Sequence, residues 1–138
     1  MTELHAFDHT LQTSRGWLRD LQARLQCDPN AAYAALRAGL HVIRDHLPMN
    51  EAVDLAAQLP MLIRGMYFDG WRPNRKQPRA RHLESYQQLV AEHLSPRGDL
   101  DPAAVLPAVM HVLSLHVSRG EVTDVMACLP REIQEIWA

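Results

Sequence analysis

The chain of 138 residues matches itself at an offset of 70 positions. Residues 33–67 align without a gap to residues 103–137, and twelve of the aligned pairs are identical. A repeat of this length predicts one structural unit that occurs twice, with each copy burying its apolar residues against the other. The identical pairs that carry side-chain chemistry are His41/His111, His46/His116, Glu51/Glu121 and Asp54/Asp124.

Apolar residues recur every three or four positions in both units, which is typical of amphipathic helices. In the first unit this stripe runs from Phe7 to Leu25, and its counterpart spans about residues 81–94. No segment alternates apolar and polar residues over a convincing length. The sequence therefore predicts an all-α fold of about eight helices. Two tandem related units, residues 1–71 and 82–138, would pack into one compact domain, with a connector at residues 72–81.

Capping residues mark where several helices should begin. Asp28 precedes Pro29, which predicts an N-cap before a proline at the first helical position. The buried face of the helix that follows is expected to include Tyr33. Ser118 and Glu121 have the spacing of a capping box, at the start of a short helix expected at about residues 119–128 and mirrored at 49–58.

Prolines set further boundaries. Pro60 and Pro130 interrupt the helical pattern and predict a new helix N-terminus in each unit. Pro107 falls inside the long helix of the second unit, which should therefore be kinked or begin late. Gly70 is the expected C-terminal cap of the helix that follows Pro60.

Composition excludes several function classes. The net charge of -2 argues against binding of polyanions by the whole surface. No apolar run approaches the 18 residues of a membrane span, and the first residues lack the features of a secretory signal. Cys27 and Cys128 have no metal-ligand or CxxC spacing, which favours free thiols in a reducing compartment. We therefore expect a cytoplasmic protein.

The duplicated His41, His46, His111 and His116 are candidate metal ligands, together with the duplicated carboxylates. Their spacing argues against a metal, because His41 and His46 lie five positions apart and diverge around a helix. The alternative is electrostatic: the carboxylates would face helix N-termini, and His46 and His116 would face helix C-termini. We assign no cofactor.

The connector, residues 72–81, holds five basic residues and no acidic one. Such a segment could contact phosphates, and the neighbouring Trp71 could stack on a base. An arginine- and proline-containing linker between acidic units explains the same composition. Because no nucleic-acid-binding motif is present, we do not expect nucleic acid as a partner.

The two units differ most after Pro60 and Pro130. The first copy is apolar nearly all round, whereas the second carries Arg131 and Glu132 where the first has Met61 and Leu62. A helix that is apolar on all sides is either central to the fold or presented to a partner. The candidate partner surface consists of Met61, Leu62, Met66 and Phe68.

Several segments together resemble a bacterial domain-of-unknown-function family, number 2267, over almost the full chain. They are residues 36–48, Glu51–Asp54, residues 58–71, Glu121, Leu129-Pro130 and Ile136-Trp137. The resemblance implies an all-helical fold and a bacterial cytosolic setting. The family brings no established activity and no catalytic residues to transfer.

No motif for a nucleophile, a phosphate-binding loop or a zinc protease occurs in the chain. We therefore expect no catalytic residues, although a site built from residues distant in the sequence would leave no such motif. The sequence favours a helical binding or scaffolding module that acts through a protein partner or through self-association, for example as a homodimer. The alternative is a small-molecule- or metal-binding bundle that uses the duplicated His, Glu and Asp positions.

Overall fold

The computed structural model describes residues 4–74, 80–95 and 98–137, and these residues form eight α-helices and no strand. The all-α fold predicted from the sequence is confirmed. The helices are α1 (His5–Leu25), α2 (Pro29–Asp45), α3 (Met49–Ala57), α4 (Met61–Phe68), α5 (Leu83–His93), α6 (Pro102–His116), α7 (Arg119–Ala127) and α8 (Arg131–Trp137).

The four longest helices form the body of the protein. Helices α2 and α6 contact each other, and both α1 and α5 contact this pair. The shorter helices attach in corresponding ways, since α4 packs on α2 and α3 while α8 packs on α6 and α7. Helix α3 also packs on α7. The core therefore lies along α2 and α6. Trp17 of α1 and Tyr86 of α5 are among its largest fully buried side chains.

Helices α2 and α6 approach most closely at Gly39 and Val109. A Cβ atom placed on Gly39 would lie only 2.6 Å from Val109 Cγ2. Because real Cβ atoms do not approach so near, this crossing requires glycine in α2. Gly39 and Val109 are also aligned with each other at the offset of 70. One unit thus supplies the space that the side chain of the other unit fills.

Side-chain caps are present at three helix starts, and two of them, Asp28 and Ser118, were predicted. The Asp28 carboxylate accepts a hydrogen bond from Ala31 N–H at 2.8 Å, and Asp101 accepts one from Ala103 N–H at 3.0 Å. At the start of α7, the Ser118 hydroxyl accepts from Glu121 N–H at 3.2 Å, but Ser118 N–H donates to Gln58 Oε1, so the return half of the predicted capping box is wrong. These side chains satisfy backbone N–H groups that have no partner within the helix.

Two local details differ from expectation. Helix α6 begins at Pro102 and continues through Pro107, so the late start, one of the two effects expected of this proline, is wrong. The proline removes one hydrogen bond near the helix start, while the buried neighbours Leu106 and Ala108 retain their packing. Tyr33 is exposed rather than buried, because α2 turns the small side chains of Ala32 and Ala35 toward the core.

Among the described residues, no helix combines the length and the apolar character needed to cross a membrane.

Candidate functional site

An exposed apolar surface lies where the first half of α1 meets α4. Thr10 joins the two helices, since its buried hydroxyl accepts a hydrogen bond from Leu62 N–H at 3.1 Å. Phe7 lies one turn before Thr10 and Leu11 directly after it, on the apolar stripe of α1. Large apolar side chains therefore lie on both helices, near the hydrogen bond between Thr10 and Leu62 in sequence. The α1/α4 surface consists of Leu4, Phe7, Leu11, Met61 and Leu62.

These side chains are about half exposed. Phe7 is 59% exposed, Met61 56% and Leu62 50%. Isolated exposed apolar residues are common on proteins, whereas several on two packed helices make a candidate partner surface.

The four residues of the predicted partner surface do not all lie at this place. Met61 and Leu62 belong to the α1/α4 surface, whereas Met66 is only 8% exposed. Phe68 is half-buried and has its ring 5.3 Å from that of Trp71. An eight-residue helix cannot expose every side, so α4 points Met66 into the core.

Phe7 and Leu11 were not among the predicted site residues, although the sequence carries a signal for them. In α1 the apolar stripe begins at Phe7, ten residues before Trp17. In the second unit, where Tyr86 corresponds to Trp17, the stripe begins only three residues earlier, at Leu83. Helix α5 accordingly begins at Leu83, and α1 extends further toward its N-terminus than α5 does. Phe7 and Leu11 lie on this extension.

The same extension accounts for the difference between Leu62 and Glu132. Glu132 caps α5, because its carboxylate accepts a hydrogen bond from Leu83 N–H at 2.6 Å. That backbone hydrogen bond, together with the nearby His82, lowers the pKa of Glu132. Since α1 continues past this point, position 62 has no free helix N-terminus to cap. A carboxylate is therefore not required there.

The duplicated histidines are separated from one another. His41 is buried in α2 and its Nε2 lies 2.8 Å from the Met66 carbonyl oxygen. His46 Nδ1 lies 2.7 Å from the Val42 carbonyl oxygen, while its Nε2 accepts a hydrogen bond from Ala80 N–H at 3.4 Å. Burial lowers the pKa of both imidazoles. Each ring therefore serves as a neutral hydrogen-bonding group.

The two histidines of the second unit have different surroundings. His111 is half-buried in α6. His116 Nε2 lies 2.6 Å from the Asp20 carboxylate, and its ring stacks on Trp17 at 4.8 Å. Both His46 and His116 were expected to face the C-terminus of a helix. In the described structure a ring nitrogen of His46 contacts a backbone carbonyl oxygen, whereas His116 contacts the Asp20 carboxylate instead. Within the described part of the chain, the four histidines form no common site with the carboxylates.

The duplicated carboxylates, in contrast, come together where α3 packs on α7. One oxygen each of Glu51, Glu121 and Asp124 lie within 4.8 Å of one another. The Oε1 atoms of Glu51 and Glu121 are shielded from solvent and receive no hydrogen bond from any described group. Burial, the contact with Glu51 and the negative charges of Asp54 and Asp124 raise the pKa of Glu121 to about 7. We call these four residues the carboxylate cluster.

The basic connector lies only partly within the described structure. Arg72 and Arg81 are exposed. Arg75, Lys76 and Arg79 lie outside the described residues.

Comparison with known families settles the relationship that the sequence indicated. The profile of the uncharacterized conserved proteins (DUF2267) matches residues 14–136. The chain belongs to this family. No curated protein matches the chain.

The boundaries of the DUF2267 match divide the α1/α4 surface. Met61 and Leu62 lie within the matched residues, whereas Leu4, Phe7 and Leu11 precede them. The surface therefore combines a helix of the family domain with a segment in front of it.

Proposed function

We propose that this protein is a protein-binding module that acts through the α1/α4 surface, and that its occupant is a second copy of the same chain. The observation that carries the proposal is that exposed Phe7, Leu11, Met61 and Leu62 lie on two helices joined by the Thr10–Leu62 hydrogen bond.

The second half of the chain supports this assignment by contrast. Arg131 and Glu132 occupy the positions aligned with Met61 and Leu62, and both are exposed. The fold thus places these two positions at the surface in either half, and folding does not require apolar residues there. Their apolar character in α4 is better explained by contact with a partner.

A second copy fits the chemistry of this surface. All five of its side chains are uncharged, and the Arg64 guanidinium is turned toward the end of α3, where it donates to the carbonyl oxygens of Ala56 and Leu59. Two copies related by a two-fold axis can therefore face each other without forcing like charges together. Such pairing would also cover the apolar side chains of both copies at once.

The expected contribution of these contacts can be bounded. Full burial of a large apolar side chain stabilises by roughly 1.5–3 kcal/mol, and these side chains are already about half covered. Each therefore contributes about 0.8–1.5 kcal/mol on association. A symmetric dimer contains Met61 and Leu62 twice, so replacing both residues removes about 3–6 kcal/mol. Dimerisation should weaken by at least about a hundredfold.

Analytical ultracentrifugation tests the proposal. We expect the wild-type chain to dimerise, and the variant with Met61→Arg and Leu62→Glu to be a folded monomer. A matched control carries Met49→Arg and Val53→Thr, which also replaces two exposed apolar residues by their counterparts in the second half. This control should dimerise as the wild type does.

Other outcomes would refute the assignment. If the wild-type chain stays monomeric at high concentration, the α1/α4 surface does not bind a second copy. A Met61→Arg, Leu62→Glu variant that still dimerises would place the interface elsewhere. If instead the variant is unfolded, α4 belongs to the core and its apolar residues need no partner.

Among the residues that the structure describes, the alternative, a small-molecule- or metal-binding bundle, has a geometric basis only in the carboxylate cluster. Elemental analysis of the purified protein distinguishes the two functions, since stoichiometric metal would favour the alternative. A cytosolic location is also part of our proposal. The free thiols of Cys27 and Cys128 are compatible with a reducing compartment.

A further inference from the structure

The carboxylate cluster lies between two short helices, α3 and α7, and shares no residue with the α1/α4 surface, so self-association leaves it unexplained. Glu51 is in the first turn of α3 and Glu121 is in the first turn of α7. The two residues are aligned at the offset of 70, so the packing of α3 on α7 brings equivalent carboxyl groups face to face. This position makes the pair a part of the helix contact itself.

The first-turn positions of Glu51 and Glu121 give their carboxyl groups only the partial positive charge of two helix N-termini. Neither shielded Oε1 atom receives a hydrogen bond, and no arginine or lysine of the described residues forms an ion pair with either glutamate. Two carboxylates this close repel each other strongly when both are ionised. One proton between them removes a charge and supplies the missing hydrogen bond.

The surrounding groups increase this repulsion. Asp54 of α3 and Asp124 of α7 add negative charge to Glu121. Glu51 and Glu121 also act on Cys128 and Tyr67, whose pKa values are both raised, so both remain neutral near pH 7. Helices α6 and α8 contribute no charged group that acts on Glu121 within the described structure.

We infer that the contact between α3 and α7 is a pH-sensitive device, which is closed while one proton bridges Glu51 and Glu121 and which loosens when that proton is lost to water. The raised pKa of Glu121, about 7, supports this assignment and places the transition near neutral pH. A carboxyl group whose pKa is higher in the folded state stabilises the fold at low pH, and this contribution is lost as the pH rises.

The Glu121→Gln variant tests the device, because an amide donates a hydrogen bond to Glu51 without needing a proton. Urea unfolding of the full chain would be measured at about pH 5.5 and about pH 8.5. We expect the unfolding midpoint of the wild type to fall, relative to that of Glu121→Gln, between these pH values. Histidine titrations are common to both proteins and cancel in the comparison. Glu92→Gln, at an exposed position of α5, is the matched control and should follow the wild type.

Amide hydrogen exchange locates the effect. After correction for the intrinsic pH dependence, α3 and α7 should open about tenfold more in the wild type than in Glu121→Gln at the higher pH, the equivalent of one pKa unit. This factor is smaller than the full pKa shift implies, because both side chains are partly exposed to solvent.

Three results would overturn the inference. Parallel pH dependence of the wild type and Glu121→Gln would show that no proton is shared. If Glu121→Gln does not fold, a carboxyl-carbon NMR titration of the wild type decides, and two glutamates that titrate at ordinary pH values refute the device. If millimolar Ca²⁺ or Mg²⁺ restores the wild-type midpoint at the higher pH, the cluster is a cation site.

Discussion

The crossing of α2 and α6 gives a sharp test of the packing, because Gly39 and Val109 determine how closely the helices approach. In Gly39→Ala the added methyl carbon would lie 2.6 Å from Val109 Cγ2 and 2.9 Å from Val109 Cβ. The β-branched side chain of Val109 cannot rotate away freely in a helix. The helices must therefore separate or distort.

Two opposing effects determine the magnitude. Alanine is favoured over glycine within a helix by about 1 kcal/mol. Overpacking of a well-filled core costs roughly 1–3 kcal/mol, and a contact this short belongs at the upper end. We expect Gly39→Ala to lower the free energy of unfolding by about 1–2 kcal/mol. Val109→Ala alone should also destabilise the protein, by about 1–3 kcal/mol, because it leaves a cavity beside Gly39.

The double variant distinguishes this explanation from general damage. In Gly39→Ala with Val109→Ala, the new methyl group fills part of the space that valine vacates. The double variant should therefore be more stable than the sum of the single changes implies, by at least about 1 kcal/mol. Urea unfolding followed by circular dichroism measures all four proteins. Additive losses, or a Gly39→Ala variant more stable than the wild type, would show that the two residues do not limit the crossing.

Three further predictions concern buried polar groups. Tyr67→Phe removes a hydroxyl that donates to a backbone carbonyl of α3 at 2.8 Å, and it should lower the free energy of unfolding by about 1 kcal/mol. Tyr86→Phe should be neutral or stabilising in the same unfolding assay, because the buried Tyr86 hydroxyl has no described partner. Arg44→Met leaves the carbonyls that end α4 without their donor and should cost about 1–3 kcal/mol by thermal or urea unfolding. Because burial lowers the pKa of His46, folding stability should fall as the pH drops below 6.5, and the fall should be smaller in His46→Gln.

The helices were predictable because their signals are local. The short helices expected at residues 49–58 and 119–128 are observed at 49–57 and 119–127. Capping residues and prolines act within one turn of the backbone, so the sequence specifies them directly. The exposure of Tyr33 was not predictable in this way, since it depends on which face of α2 its neighbours cover.

The candidate sites show the same limit. The sequence indicated that Met61 and Leu62 differ from their counterparts, but α4 alone does not show that Phe7 stands beside them. Glu51 and Glu121 were predicted as separate first-turn carboxylates. Their pairing depends on the packing of α3 on α7, and residues 70 positions apart carry no local signal of contact.

The extension of α1 has a consequence for how the two halves could diverge. Where a helix stops, the neighbouring residue must offer an oxygen to the exposed backbone, as Glu132 does for α5. Where the helix continues, as α1 does past Leu62, that obligation disappears and the neighbouring position becomes free to vary. The length of α1 thus determines whether position 62 can be apolar, although this position lies 52 residues after Thr10, its hydrogen-bond partner in α1. Lengthening a helix is therefore a route by which a repeated unit can replace a capping residue with an exposed apolar one.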